Sequence, residues 1–357
     1  MNLTEYQERA LATAQINWSS SDKRYVPVLG LVGEIGSVAS EIKKSIRDGN
    51  AYTAAASAFS EEFGDVIWYL ATLASHCGIE LSTLPSESTR AVAQLDRYGS
   101  LLDLASCAAR TATAVHMHFT GGSNEGQLRR TFSDTLDALR IALNAEHLEL
   151  SDVLAANLAK NEGTWNPIGS PAPSFDTGYP DYERLPREIA ITFLQHGRGT
   201  RLEVLLRVQG LTVGDRLTDN SMDADGYRFH DAFHLAYAAV LGWSPVVRAI
   251  FRCKRKSNPQ VDEVQDGARA AIIEEAVAQL VFNYAADHSF LEGLNRVDHD
   301  LLKHITKMVR HLEVCRCTTA EWQRAILIGY QAFRSLREQG SGTLEMNAER
   351  RSLEFKP

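Results

Sequence analysis

The chain is short of cysteine: five in 357 residues, an odd number with no C-x-x-C pair. That argues against a disulfide framework and against a zinc ribbon, and it fits a reducing compartment. Positive charge is outnumbered, with 37 Lys and Arg against 45 Asp and Glu. A net charge of −8 gives no bulk attraction for a phosphodiester backbone, so no stable nucleic-acid binding is expected. A nucleotide site needs only local cations and stays open. No continuous apolar run approaches the roughly 18 residues of a membrane span. The opening Met-Asn-Leu-Thr-Glu-Tyr has neither a basic region nor an apolar signal segment. The expectation is a cytoplasmic chain with no membrane partner. What remains, 44% apolar and 23% charged residues, is the composition of an ordinary globular protein, and the length suggests two domains.

Residues 1–162 read as helical throughout. Leu3–Ala14 has Thr4 as a cap candidate and apolar positions at Tyr6, Ala10, Leu11 and Ala14. A second helix runs from about Val28 to Arg47 and stops at Asp48-Gly49-Asn50. A third runs from about Ala54 to Cys77 and stops at Gly78. A weak repeat follows. Phe63, Asp65, Leu70, Glu80, Leu81 and Ser82 recur at a constant offset as Phe132, Asp134, Leu139, Glu149, Leu150 and Ser151. This pattern suggests a duplicated helical hairpin that kept its packing residues and lost most of its acids.

Residues 163–186, rich in Pro, Gly and Ser, have the composition of an irregular linker. In the second domain, residues 187–340, Ile189–Phe193 and Arg201–Val208 read as short strands or extended connections. The helical pattern returns at Tyr227. The tail, residues 341–357, is polar and expected to be loose. The overall expectation is an all-α protein of two helical-bundle domains.

The acids carry the chemistry. Glu62 and Asp65 are three residues apart and share one helix face, amid Phe63, Val66, Ile67, Trp68 and Leu70. Glu34 opens the preceding helix in Gly30-Leu-Val-Gly-Glu-Ile-Gly. Two antiparallel helices with a short loop would bring the three together. Like charges in an apolar setting repel and are costly to desolvate, so the cluster calls for a cation. Oxygen-only ligands favour a hard ion such as Mg²⁺, and Mg²⁺ favours phosphate-bearing substrates. A solvated helix face would explain an isolated pair of such acids, but not acids set in so apolar a helix. Lys43, Lys44 and Arg47 meet phosphates or complement the helix dipole. Trp68 and Tyr69 read as core residues.

The second domain has its own constellation. His230 and His234 are i, i+4 on one helix face, a spacing that suits a metal, with Asp231 beside them. Glu274 and Glu275 open a further apolar helix, Ala276–Tyr284. Between these helices lies a basic cluster, Arg252-Cys-Lys-Arg-Lys-Ser257, able to hold phosphates or to sit as a solvated loop. The bland alternative for the histidines is a hydrogen-bonded core pair.

Taken in order, Leu3-Thr-Glu-Tyr-Gln-Glu-Arg-Ala, Gly30-Leu-Val-Gly-Glu-Ile-Gly, Lys43-Lys and Glu61-Glu-Phe-Gly-Asp-Val-Ile-Trp-Tyr-Leu resemble the MazG-like, all-α NTP pyrophosphohydrolase family. The likeness is close over about the first 80 residues and resumes near Leu150-Ser-Asp-Val-Leu-Ala-Ala-Asn-Leu-Ala-Lys. The His230–Glu275 arrangement resembles a C-terminal extension of some MazG-like proteins.

The resemblance implies a helical bundle that forms homo-oligomers, binds Mg²⁺ with Mn²⁺ as a substitute, and cleaves a nucleoside triphosphate to the monophosphate and pyrophosphate. It implies Glu34, Glu62 and Asp65 as metal ligands. It gives Lys44, Asn157 and Lys160 as substrate contacts, and Glu61 or Glu62 as the group that takes a proton from water. One departure matters: the second glutamate of the family's E-x-x-E helix is Ser37 here. Glu41 shares the face but stands two turns, about 10 Å, beyond Glu34 along the axis; Glu61 is the alternative replacement. Ser37 keeps a second hypothesis in play, a nucleotide-binding module without turnover. A third places the working site at His230, Asp231, His234 and Glu275.

Overall fold

The computed structural model describes the chain except residues 15, 86–95, 123, 166–173 and 199–200; for 164, 165, 198 and 201 it describes the backbone only. The chain divides into two compact units, Met1–Asn166 and Pro167–Pro357.

The first unit is a bundle of α1 (Leu3–Thr13), α2 (Val26–Asp48), α3 (Ala55–His76), α4 (Arg97–Phe119), α5 (Glu125–Ala145) and α6 (Leu150–Trp165). Asn2, not Thr4, caps α1: its side chain accepts from the Glu5 amide at 2.8 Å, while Thr4 turns to Glu80 and Ser82. In α2 the buried stripe Val28, Leu31, Ile35, Val38 and Ile42 follows helical spacing. Gly49, at φ +53°, ends the helix. By length and composition Lys23–Ala51 is apolar enough to cross a membrane, which the absence of a continuous apolar run did not suggest. A core helix passes the same test, and that stripe packs into the bundle core.

Helix α3 is the centre of the bundle. It touches α1, α2, α5 and α6, so it is apolar on most sides: Phe63, Val66, Ile67, Leu70, Ala71, Leu73 and Ala74 are all buried. The acids on α3 are therefore carried into an interior. The second hairpin, α4 with α5, buries Phe132 and Leu139 as the first buries Phe63 and Leu70. At the position matching Glu62 it has Thr131, whose hydroxyl donates to the Leu128 carbonyl.

The second unit corrects the all-α expectation. It holds β1 (Glu188–Arg198), β2 (Arg201–Val208), β3 (Leu211–Leu217), α7 (Asp231–Leu241), α8 (Pro245–Ile250), α9 (Pro259–Val264), α10 (Ala268–Ala286), α11 (His299–Val309), α12 (Thr319–Gln339), β4 (Gly342–Asn347) and β5 (Ser352–Lys356). The strands form one antiparallel sheet in the order β3-β2-β1-β4-β5. The tail expected to be loose supplies β4 and β5. Leu344, Met346 and Leu353 are buried at alternate positions, and α12 and α7 pack on these strands. Strands this short carry too little hydrophobic signal to stand out against their charged neighbours; pairing with β1 decides them.

Helix α7 is buried along its entire length and lies against α12. Gly329 permits that approach, since a Cβ there would stand 3.1 Å from Ala236 Cβ. Helix α10 begins earlier than the apolar run at Ala276 suggested. The stretch read as a linker divides three ways. Residues 163–165 continue α6, 166–173 lie outside the described residues, and the part from Ser174 belongs to the second unit. There Asp176 is fully buried and accepts from the Leu185 amide and from Arg248, each at 2.8 Å, and from Arg187. Burial alone would raise the Asp176 carboxyl, but these donors and Ser174 bring it down to about 2.

Candidate metal centres

In the first unit α2 contributes Glu34 and α3 contributes Glu62 and Asp65. Each offers a carboxylate oxygen, and these oxygens lie within 4.8 Å of one another. Glu62 is 7% exposed. Helix α6 brings Lys160, whose Nζ stands 2.7 and 2.6 Å from the two oxygens of Asp65 and 3.7 Å from Glu61. An ammonium placed among carboxylates offsets part of their repulsion.

Asn157 fixes Asp65 from the other side. Its Nδ2 donates to Asp65 Oδ1 at 2.9 Å. Its Oδ1 accepts from Tyr6 Oη at 2.8 Å and from Asn161 Nδ2 at 2.9 Å. Gly64 makes room for it: a Cβ at that position would meet Asn157 Cβ at 2.9 Å. Burial, and after it the Asp65 charge, push the Tyr6 phenol well above its usual range, so Tyr6 stays a donor. Asp65 thus has a fixed position and orientation.

The structure draws Glu34, Glu61, Glu62, Asp65, Asn157 and Lys160 into one region. Lys160 faces acids there. Lys44 is paired with Glu41 on its own helix, and Glu41 also accepts from Tyr52. Glu41 is thereby committed elsewhere and does not stand in for the glutamate replaced by Ser37. Trp68 donates to Thr13 Oγ1 at 3.1 Å and Tyr69 packs over Gly30, so both are packing residues. Sequence reasoning missed Tyr6 and Asn161 as parts of the site. It took Tyr6 as one apolar position of α1; the signal for Asn161 was its i+4 spacing from Asn157.

In the second unit α7 carries His234, with His230 at its N-terminal edge, and α10 carries Glu274 and Glu275. One ligand atom from each of His230, His234 and Glu275 lies within 4.8 Å of the others. His230 Nδ1 is 2.8 Å from the Tyr227 carbonyl, and its ring stacks on Tyr227 at 4.4 Å. His234 Nδ1 is 2.8 Å from Glu274 Oε1. Glu274 is fully buried and also accepts from Ser244 Oγ at 2.6 Å and from the Val246 amide at 2.9 Å. It therefore stands behind His234 as an orienting group, while Glu275 faces the cluster. Asp231 Oδ1 lies 3.5 Å from His230 Nε2.

Burial works to lower the His234 imidazole, but the Glu274 and Glu275 carboxylates outweigh it and raise it well above the ordinary value. Glu275 moves the other way: burial would raise it, and His234 and His230 bring it down. Of the basic cluster, Arg255 is buried between Asp266 and Glu313, while Arg252 and Lys256 are exposed.

A match to the MazG C-terminal domain spans residues 170–357, more than half of the chain. The chain belongs to that family. The MazG family is associated with nucleoside triphosphate pyrophosphohydrolase activity. A curated relative, the Gene 37 protein of Mycobacterium phage L5, is 40% identical over 58 residues, which is 16% of this chain. The aligned segment spans about half of that relative, 51% of its length. No solved structure matches. The MazG C-terminal domain match covers the sheet and the His230–Glu275 cluster. The Glu34–Asp65 cluster lies N-terminal to it.

Proposed function

We propose that the first unit hydrolyses a nucleoside triphosphate to its monophosphate and pyrophosphate in a Mg²⁺-dependent reaction. One observation carries this: Glu34, Glu62 and Asp65, from two helices, converge within 4.8 Å inside a helical bundle. An all-oxygen set of this kind fits Mg²⁺, with Mn²⁺ as a substitute. Bound there, the ion would neutralise phosphate charge and acidify a water. Glu34, Glu62 and Asp65 would hold it, and Asn157 would keep Asp65 aimed. Glu61, at the edge of the cluster beside Lys160, takes the proton from the attacking water. Lys160 quiets the acids in the resting enzyme and transfers to a phosphate oxygen when substrate arrives.

Ser37 favours a second reading, nucleotide binding without turnover, because Glu41 is occupied by Lys44 and Tyr52. Self-association is part of the proposal. Val26, Leu29 and Val32 on α2 are exposed and offer a face for it.

The test is pyrophosphate release from a panel of NTPs and dNTPs with Mg²⁺ or Mn²⁺, run on wild type and Asp65→Asn. Release that vanishes in the variant supports the assignment. Equal release from both removes it. No release, with nucleotide-dependent thermal stabilisation retained, selects the binding reading.

A further inference from the structure

We propose that the second unit binds one first-row transition-metal ion, Zn²⁺ by its donor set, between His230, His234 and Glu275. The inference is independent of the nucleotide site in the first unit.

Each of the two rings is held by a bond at Nδ1. A carbonyl oxygen only accepts, so His230 Nδ1, 2.8 Å from the Tyr227 carbonyl, carries the proton. A carboxylate also only accepts, so His234 Nδ1, 2.8 Å from Glu274, carries one too. In the neutral rings that leaves Nε2 of each histidine with its lone pair available. These outer bonds are the kind that fix ligand tautomer and ring orientation in metal sites. Stacking on Tyr227 holds the His230 ring further.

The second observation is an unpartnered atom. His234 is completely buried, and its Nε2 has no hydrogen bond. Glu275 Oε2 approaches it at 3.4 Å without forming one. A buried polar atom left in this way costs roughly 1–3 kcal/mol unless something satisfies it. An ion among His234, His230 and Glu275 would. A salt bridge from a protonated His234 to the two glutamates accounts for His234 alone. It leaves unexplained why His230, held by a separate bond and stack, offers a ligand atom to the same place.

The donors decide the ion. Two imidazoles and one carboxylate suit Zn²⁺ and its neighbours rather than Mg²⁺. Bonds to Zn²⁺ of about 2.0–2.2 Å set tetrahedral ligand atoms roughly 3.3–3.6 Å apart, and His234 Nε2 and Glu275 Oε2 already stand 3.4 Å apart. Glu275 is the ligand able to adjust, with its side chain 45% exposed. Three protein ligands with one at the solvent margin leave a position for water, as in catalytic rather than closed structural zinc sites.

The experiment uses the full chain, stripped with a chelator and titrated with Zn²⁺ against a chromophoric competitor. Parallel samples are loaded with Co²⁺ and read by visible absorption. The expected result is one Zn²⁺ per chain, unchanged in Asp65→Asn and weakened by about 100-fold or more in Glu275→Gln and in His230→Gln. The Co²⁺ absorption band should be present in wild type and absent in Glu275→Gln. Circular dichroism checks that both variants fold. Wild-type Zn²⁺ binding no tighter than in folded Glu275→Gln would overturn the proposal, leaving His234 as an imidazolium between Glu274 and Glu275. Loss of the Zn²⁺ site in Asp65→Asn would overturn it as well.

Discussion

The two acid-bearing clusters solve one electrostatic problem in different ways. Both set carboxylates among apolar helices, where unpaired charge is costly. In the first unit all the ligand atoms are oxygens, and Lys160 lies against Asp65 at 2.6 Å. In the second, nitrogen donors replace two of the oxygens, and His234 lies fully buried between Glu274 and Glu275. Both proposals rest on donor type, read with what locks each donor: oxygens alone for a hard ion in the first unit, two imidazoles and a carboxylate for a borderline ion in the second. Asn157 locks Asp65 and Glu274 locks His234, so each cluster can be perturbed without touching the other.

Asp65→Asn should have the largest effect. It removes a ligand and the partner of Lys160, and pyrophosphate release should fall by about 100-fold or more. Zn²⁺ stoichiometry in the second unit should hold. A variant that lost both, while still folded, would break the comparison, because the clusters would then not be separable.

Glu274→Gln comes next and sharpens the contrast from the other side. It leaves the His230, His234 and Glu275 side chains in place but weakens the partner of His234 Nδ1. Zn²⁺ affinity should drop by about 10- to 100-fold with nucleotide turnover unaltered. Unchanged affinity in a competition titration would mean that Glu274 does not orient His234.

Acid separates the units through Asp176. Its folded-state carboxyl is held near 2, below its ordinary value. The stability it contributes is therefore present above the ordinary carboxylate range and lost as pH falls toward about 2. The difference is about 2 kcal/mol between pH 5 and pH 2. The protection of the α7 amides, after correction for the intrinsic pH dependence of exchange, should fall over that window, and Asp176→Asn should flatten the response. Equal acid sensitivity in wild type and Asp176→Asn would exclude this cause.

Ser37→Glu should have the smallest effect. A fourth carboxylate in the first cluster should lower the Mg²⁺ concentration needed for half-maximal turnover by a few-fold. It should leave the Zn²⁺ site alone. A rise in that concentration would mean the added charge is not directed at the ion.

Much of the first cluster was legible because the ligands lie close in sequence. Glu62 and Asp65 share a helix face by spacing alone, and the hairpin stops at Gly49 and Gly78 are local signals. The partners of Asp65 were less legible. Lys160 and Asn157 drew attention as substrate contacts, yet here they face the acid, because α6 packs on α3. In the second cluster Glu274 and Glu275 are adjacent letters with opposite roles. Helical geometry turns successive residues about 100° apart, so one is buried behind His234 and the other is partly exposed.

By itself the sequence determined the helical hairpins, the acid and histidine positions on them, and the punctuation between elements, because each rests on spacing within a few turns. The stretches of β1 and β2 were open to reading as strands, but only the tertiary structure decided their joining into a five-stranded sheet, the seat of Arg255 among Asp266 and Glu313, and the closing of β1 by a C-terminal tail. Strand pairing and buried ion networks join residues far apart in the chain, and no local pattern encodes which of them will meet.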